Sequence, residues 1–234
     1  MRHAGNRMGD GLGMVGMLVL AAMIPVMLHG VEEAPRGAVA VDAAALPHRL
    51  HPPAPGRPWQ VPVAGTVDLG HGKAARLRHA YAIEGRILTR RRHRFDAMAD
   101  VSPLDLGIVT GRAAEAETFA HLHGSAVPRM ALLRVSRDAP GWMRARHAPW
   151  FTNNHLIPAT DAVRAALLDL LPGDPVRLEG FLADVWEGGA AVWRSSERRD
   201  DTWCEIVVVT GVSTGDASAP RPPVRRGGRL AAAR

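Results

Sequence analysis

The chain has 234 residues, a formal charge of +6 and a single cysteine. That length suits one domain with tails, and one cysteine excludes an internal disulfide framework, so the fold must rest on its core. The stretch from Ser213 to the end, with five arginines against Asp216, supplies +4 of the +6. The domain itself is therefore close to balanced, which disfavours nucleic acid as a partner, since that binding is driven by counterion release from clustered cations.

Residues 1–10, with Arg2 and Arg7, read as a basic N-terminus that stays cytoplasmic. Residues 11–31 carry no Asp, Glu, Lys or Arg, and their centre, Met14 to Leu28, is almost wholly apolar. About 20 apolar residues cross a bilayer as a helix, and the basic flank places the following chain outside. The nearest Ala-x-Ala cleavage pattern, Ala38-Val39-Ala40, stands beyond Glu32, Glu33 and Pro35. An uncleaved anchor in the cytoplasmic membrane, with a periplasmic C-terminal domain, is thus favoured over a cleaved signal peptide and a secreted domain. Residues 32–62 hold seven prolines and read as an extended linker.

Residues 63–212 form the expected globular domain. Tyr81 to Thr89 alternates Tyr81, Ile83 and Ile87 against Glu84 and Arg86, the period of a half-buried strand. Arg90, Arg91, Arg92 and Arg94 follow as a solvated strand edge. His121 and His123 read as surface histidines, because no metal-ligand spacing surrounds them. Gly72-Lys73 lacks the upstream glycine of a phosphate loop, and no cofactor motif occurs elsewhere. Met130 to Ser136 is a second strand.

One helix is predicted after Thr160, with Val163, Ala166, Leu167, Leu170 and Leu171 on one stripe and Pro172-Gly173 as the stop. Asp174 to Val185 alternates as a strand. Glu187-Gly188-Gly189 turns it back into Ala190 to Ser195, and Trp203 to Gly211 is a last, fully buried strand. The pattern is mainly β with one clear helix (α+β). A small OB-like β-barrel is favoured, with an unspecified α+β sandwich next. Residues 213–234 read as a disordered basic tail.

The stretches Asn154-His155-Leu156-Ile157-Pro158-Ala159, Gly173-Asp174 with Val176-Arg177-Leu178 and Gly180, and Trp193-Arg194-Ser195-Ser196 with Arg199, Asp201 and Cys204-Glu205 carry a resemblance. They resemble a group of uncharacterised, membrane-anchored proteobacterial proteins, from about Tyr81 onward. Arg90-Arg91-Arg92 and Ser102 to Leu106 share it. Members of that group have a smaller, Gly-rich segment before the Cys-Glu pair, where this chain has Asp201-Thr202-Trp203. The resemblance implies one folded domain and an envelope location, and transfers no activity.

The candidate binding residues are Asn154, His155, Trp193, Arg194, Ser195, Ser196, Arg199, Asp201 and Glu205. The first functional expectation is a non-catalytic envelope module that binds a protein partner. The second is a hydrolase or transferase in which Cys204, Ser195 or Ser196 is activated by His155. The third is an OB-like nucleic-acid binder that stacks bases on Trp186 and Trp193. A buried core role for Cys204 is favoured over a nucleophilic one at this level.

Overall fold

The computed structural model describes residues 58–144, 149–197, 204–215 and 225–226. The hydrophobic run 11–31 and most of the linker lie outside them. Among the described residues no helix is long and apolar enough to cross a membrane.

The fold is mainly β with one clear helix. Strands β1 (Trp59–Gly70), β2 (Lys73–Arg92) and β3 (Leu104–Thr110) come first; a short helix α1 (Ala116–Phe119) and the hairpin β4 (Leu122–Val127) and β5 (Met130–Val135) follow. Then come β6 (Phe151–Pro158), α2 (Asp161–Asp169), β7 (Pro175–Glu187), β8 (Ala190–Trp193), β9 (Cys204–Ser213) and β10 (Arg225–Arg226). The main sheet runs β1-β2-β3-β6-β9-β7-β8, and β7 also pairs with β2. Five strands therefore pair in a circuit, β2 to β3, β6, β9, β7 and back to β2. All these pairings are antiparallel except β6 with β9.

Several elements form where the sequence pattern places them. Thr160 caps α2, its hydroxyl accepting from Val163 N at 3.2 Å, and Gly173 ends the segment at φ 94. Gly188 and Gly189 both have positive φ, the requirement of a two-residue hairpin turn. The β7–β8 hairpin follows from that turn.

Other expectations need correction. The linker ends earlier than Pro62, because β1 starts at Trp59 and Pro62 lies within it. Among the described residues β1 pairs only with β2, and an edge strand tolerates proline. The arginine run is only partly the solvated edge expected: Arg92, the last residue of β2, and Arg94 are exposed, but Arg90 and Arg91 are half-buried. Arg90 Nη2 donates to Leu168 O and Arg91 Nη1 to Ala126 O, so both staple neighbouring elements. The region after Ser213 is not wholly irregular, since Arg225–Arg226 pairs in parallel with β4.

Alternation along the strands separates two cores. Tyr81, Ile83, Leu104, Leu106, Leu156, Leu178, Leu182, Val207 and Val209 fill one face, closed at one end by Leu167 and Leu170 from α2 and the residue that follows it. The opposite face packs Val67, Ala75, Ile157, Phe181, Val185, Ile206 and Val208. Further along that second face, Leu88, Val109 and Phe151 receive the β4–β5 hairpin and α1, with Phe119 and Leu122 buried against them. Close approach depends on glycine: a Cβ at Gly107 would run into Thr89 Oγ1 and come within 3.0 Å of the Ala131 methyl. The hairpin is thereby brought down onto the sheet, and its tip lies over the second face.

A candidate thiol–imidazole–carboxylate site

The strand register puts four polar side chains on that second face. Asp105 on β3 is directly opposite His155 on β6. Asn153, two residues before His155, is opposite Cys204 on β9. Because side chains alternate, all four point away from the core that contains Leu104, Leu106 and Leu156.

Asp105 is the hub. Its Oδ2 meets His93 Nε2 at 2.7 Å, and its Oδ1 lies 2.9 Å from His155 Nδ1 and 3.1 Å from Arg129 Nη1. The His155 contact is out of line for a hydrogen bond, so charge attraction carries it. Asp105, His93 and His155 are all buried. A buried carboxylate is tolerable only with such compensation. His93 Nδ1 also reaches Asp96 Oδ2 at 3.0 Å.

His155 interacts with Cys204 as well as with Asp105. Burial disfavours the imidazolium, but the contact and charge of Asp105, together with those of Cys204, outweigh it and raise the pKa from 6.5 to about 9. Trp193 from β8 lies against the imidazole, with ring centroids 4.5 Å apart. The Cys204 thiol is half-buried. Asn153 Nδ2 donates to its sulfur at 3.1 Å.

Arg129 reaches the site from the two-residue turn between β4 and β5. Pro128 followed by a residue at φ 57 fits a type II turn, whose third position favours glycine. An arginine there accepts backbone strain, and its side chain is heavily used. Nη1 donates to Ser102 O, Ser102 Oγ and Asp105 Oδ1 at 3.0–3.1 Å. Nη2 donates to Asp96 Oδ1 at 2.5 Å, and the guanidinium carbon stands 5.1 Å from the Trp193 ring centre. Arg129 Nε and Asn153 Oδ1 are buried with no hydrogen-bond partner among the described residues.

The candidates from sequence are dispersed. His155, Trp193 and Cys204 come together. Asn154 and Glu205 are buried and belong to the opposite, inward face, where Tyr81 Oη donates to Asn154 Oδ1 at 3.0 Å. There Asn154 Nδ2 donates to Thr152 Oγ1, and burial followed by the Glu205 charge raises the Tyr81 pKa well above 10.0. Ser195 and Ser196 serve the backbone: Ser195 Oγ accepts from Ile206 N and donates to Ser196 O, while Ser196 N donates to Cys204 O. Arg194 is half exposed, 3.9 Å from Asp184. Arg199 and Asp201 lie outside the described residues.

Sequence reasoning missed Asp105, Arg129, His93 and Asn153. Among the described residues, no group of three or more His, Cys, Asp or Glu is arranged to hold a metal ion. No family model, no curated protein and no solved structure matches the chain.

Proposed function

We propose that this domain is an OB-like barrel, held on the outer side of the cytoplasmic membrane by residues 11–31, that carries a nucleophilic thiol at Cys204. The observation that carries the thiol reading is the placement of Cys204, His155 and Asp105 on one face of three adjacent strands, where both partners favour the charged form of His155. The barrel reading is supported by the five-strand pairing circuit, its single parallel pair and a helix between the third and fourth strands of that circuit. The location is supported by the apolar run, its basic flank and the resemblance to membrane-anchored proteins.

The chemistry is acyl transfer. The Cys204 thiolate attacks an acyl carbon; a C–S bond forms as the bond to the leaving group breaks, and His155 gives that group its proton. Water then attacks the thioester and yields a proton to His155. The C–S bond breaks, the free acid leaves, and the Cys204 thiolate and the His155 imidazolium are restored. Asp105 holds the imidazole and favours its charged form.

The test is acylation by p-nitrophenyl acetate. Intact mass should place one acetyl group on Cys204, with turnover lost in Cys204→Ser and reduced at least about a hundredfold in His155→Ala. A wild-type rate no faster than that of His155→Ala would overturn the reading.

A second reading, a non-catalytic module for an envelope protein partner, is favoured by exposed Val127, Met130 and Leu132 on the β4–β5 hairpin. Crosslinking from Leu132 tests it directly. Base stacking has less support: Trp186 is buried and Trp193 is half-buried against His155.

A further inference from the structure

Arg129 sits beside the thiol site with its guanidinium incompletely used. Nη1 is anchored to Ser102 and to Asp105. The other edge, Nε with Nη2, is the one that grips a carboxylate with two parallel hydrogen bonds. Here Nη2 is held only by Asp96, and Nε is buried with no partner among the described residues. Asp96 belongs to the loop after β2, and its side chain is 38% exposed. The edge therefore holds a one-pronged, solvent-reachable carboxylate and leaves Nε unused.

The position is close to the reacting atoms. Arg129 and His155 share the same Asp105 oxygen. The Arg129 carbonyl accepts from Asn153 Nδ2 at 3.4 Å and stands 3.9 Å from Cys204 Sγ. Asn153 Oδ1, also buried and without a partner, adds an acceptor next to the sulfur. Fixing a cation here costs backbone strain at Arg129, and strain of this kind is concentrated at sites that use it.

We propose that Arg129 is the specificity element of the site, selecting acyl substrates that carry a carboxylate. The substrate carboxylate takes the Nε–Nη2 edge and displaces Asp96, while Asp105 keeps Nη1 in place. Asp96 is thus a built-in stand-in for the substrate, which closes the edge when the site is empty. This inference rests on the reading of Cys204 as a nucleophile.

Paired alkylation tests it. Cys204 in the full-length chain is reacted with iodoacetate and with iodoacetamide, and the ratio of the two rates is compared with that of N-acetylcysteine at the same pH and ionic strength. A ratio at least tenfold above the free thiol is expected. His155 as imidazolium contributes to that preference, so the variants isolate Arg129. Arg129→Gln should lower the ratio severalfold. Arg129→Lys, which keeps the charge and loses the edge, should fall between. Asp96→Asn, at a more exposed position, should raise the ratio by freeing the edge. An unchanged ratio in both Arg129→Gln and Asp96→Asn overturns the specificity role and leaves the nucleophile standing. A thiol sluggish toward both reagents, with a rate no faster than that of His155→Ala, overturns the nucleophile itself and this inference with it.

Discussion

Strand β6 carries two buried polar groups on opposite faces, and they are built differently. The inward group is Tyr81, Asn154, Thr152 and Glu205, deep in the core that α2 closes. Tyr81 hydrogen-bonds to Asn154, and Asn154 to Thr152. The outward group, Asp105 with His93, His155, Arg129, Asn153 and Cys204, concentrates ionisable groups, with two imidazoles and a guanidinium around one carboxylate. It also reaches solvent through Asp96 and the half-buried thiol. The linked polar side chains of the inward group specify a packed interior; the charged cluster that reaches the surface has the features of a working site.

The comparison is broken most forcefully at Asp105. Asp105→Asn leaves His93, His155 and Arg129 around an uncharged amide, and breaking a buried ionic cluster costs about 3–5 kcal/mol. Urea unfolding should show a loss of that size. A loss below about 1 kcal/mol would mean that the cluster is not the charge-balanced hub described here.

Tyr81→Phe removes one neutral hydrogen bond of the inward group and should cost about 1 kcal/mol. It should leave the rate of Cys204 alkylation within about twofold. A tenfold change in that rate would show that the two faces are coupled.

How far the sequence goes also differs between the faces. The core strands and α2 were legible because their apolar residues recur at the periods of strand and helix: Tyr81, Ile83 and Ile87 in β2, and Val163 and Leu167 in α2. The outward site was only partly legible. His155 and Cys204 stood out as residue types, but nothing local brings them together; the parallel β6–β9 register does that. Asp105 sits in an ordinary Pro-Leu-Asp-Leu stretch and acquires its role from the antiparallel register with β6. β6 itself, Phe-Thr-Asn-Asn-His-Leu-Ile-Pro, buries polar residues on both faces and so shows no alternation of hydrophobicity. Arg129 was hidden by its turn, where proline followed by arginine does not announce a positive φ.

The pH dependence of stability separates the faces further. The His155 pKa is raised to about 9. Its stabilising contribution is therefore fully present below pH 6.5 and is lost as the pH rises through 9. Asp105 and Cys204 favour the charged imidazole, while Arg129 and His93 share Asp105 with it. Chemical denaturation between pH 6 and 10 should show wild-type stability falling, with the slope flattened in His155→Gln. An equal slope in both proteins would assign the fall to other groups.

The smallest effects belong to groups that join neither cluster. Thr160→Ala removes the α2 cap and should cost about 1 kcal/mol, read as a shift in the urea midpoint. Arg194→Ala, at a half-exposed side chain 3.9 Å from Asp184, should cost no more than about 0.5 kcal/mol. If Arg194→Ala were the more damaging of the two, the β8 end of the site would be more tightly coupled than its geometry indicates.

The central claim is that the outward face of β3, β6 and β9 activates the Cys204 thiol. The most direct measurement is the rate of Cys204 alkylation by iodoacetamide from pH 5 to 9, in wild type, His155→Ala and Asp105→Asn. The account predicts that wild type reacts at pH 6 at least tenfold faster than His155→Ala, with Asp105→Asn between them, and that the three converge toward pH 9. Three superimposable profiles would contradict it and make Cys204 an ordinary packing residue.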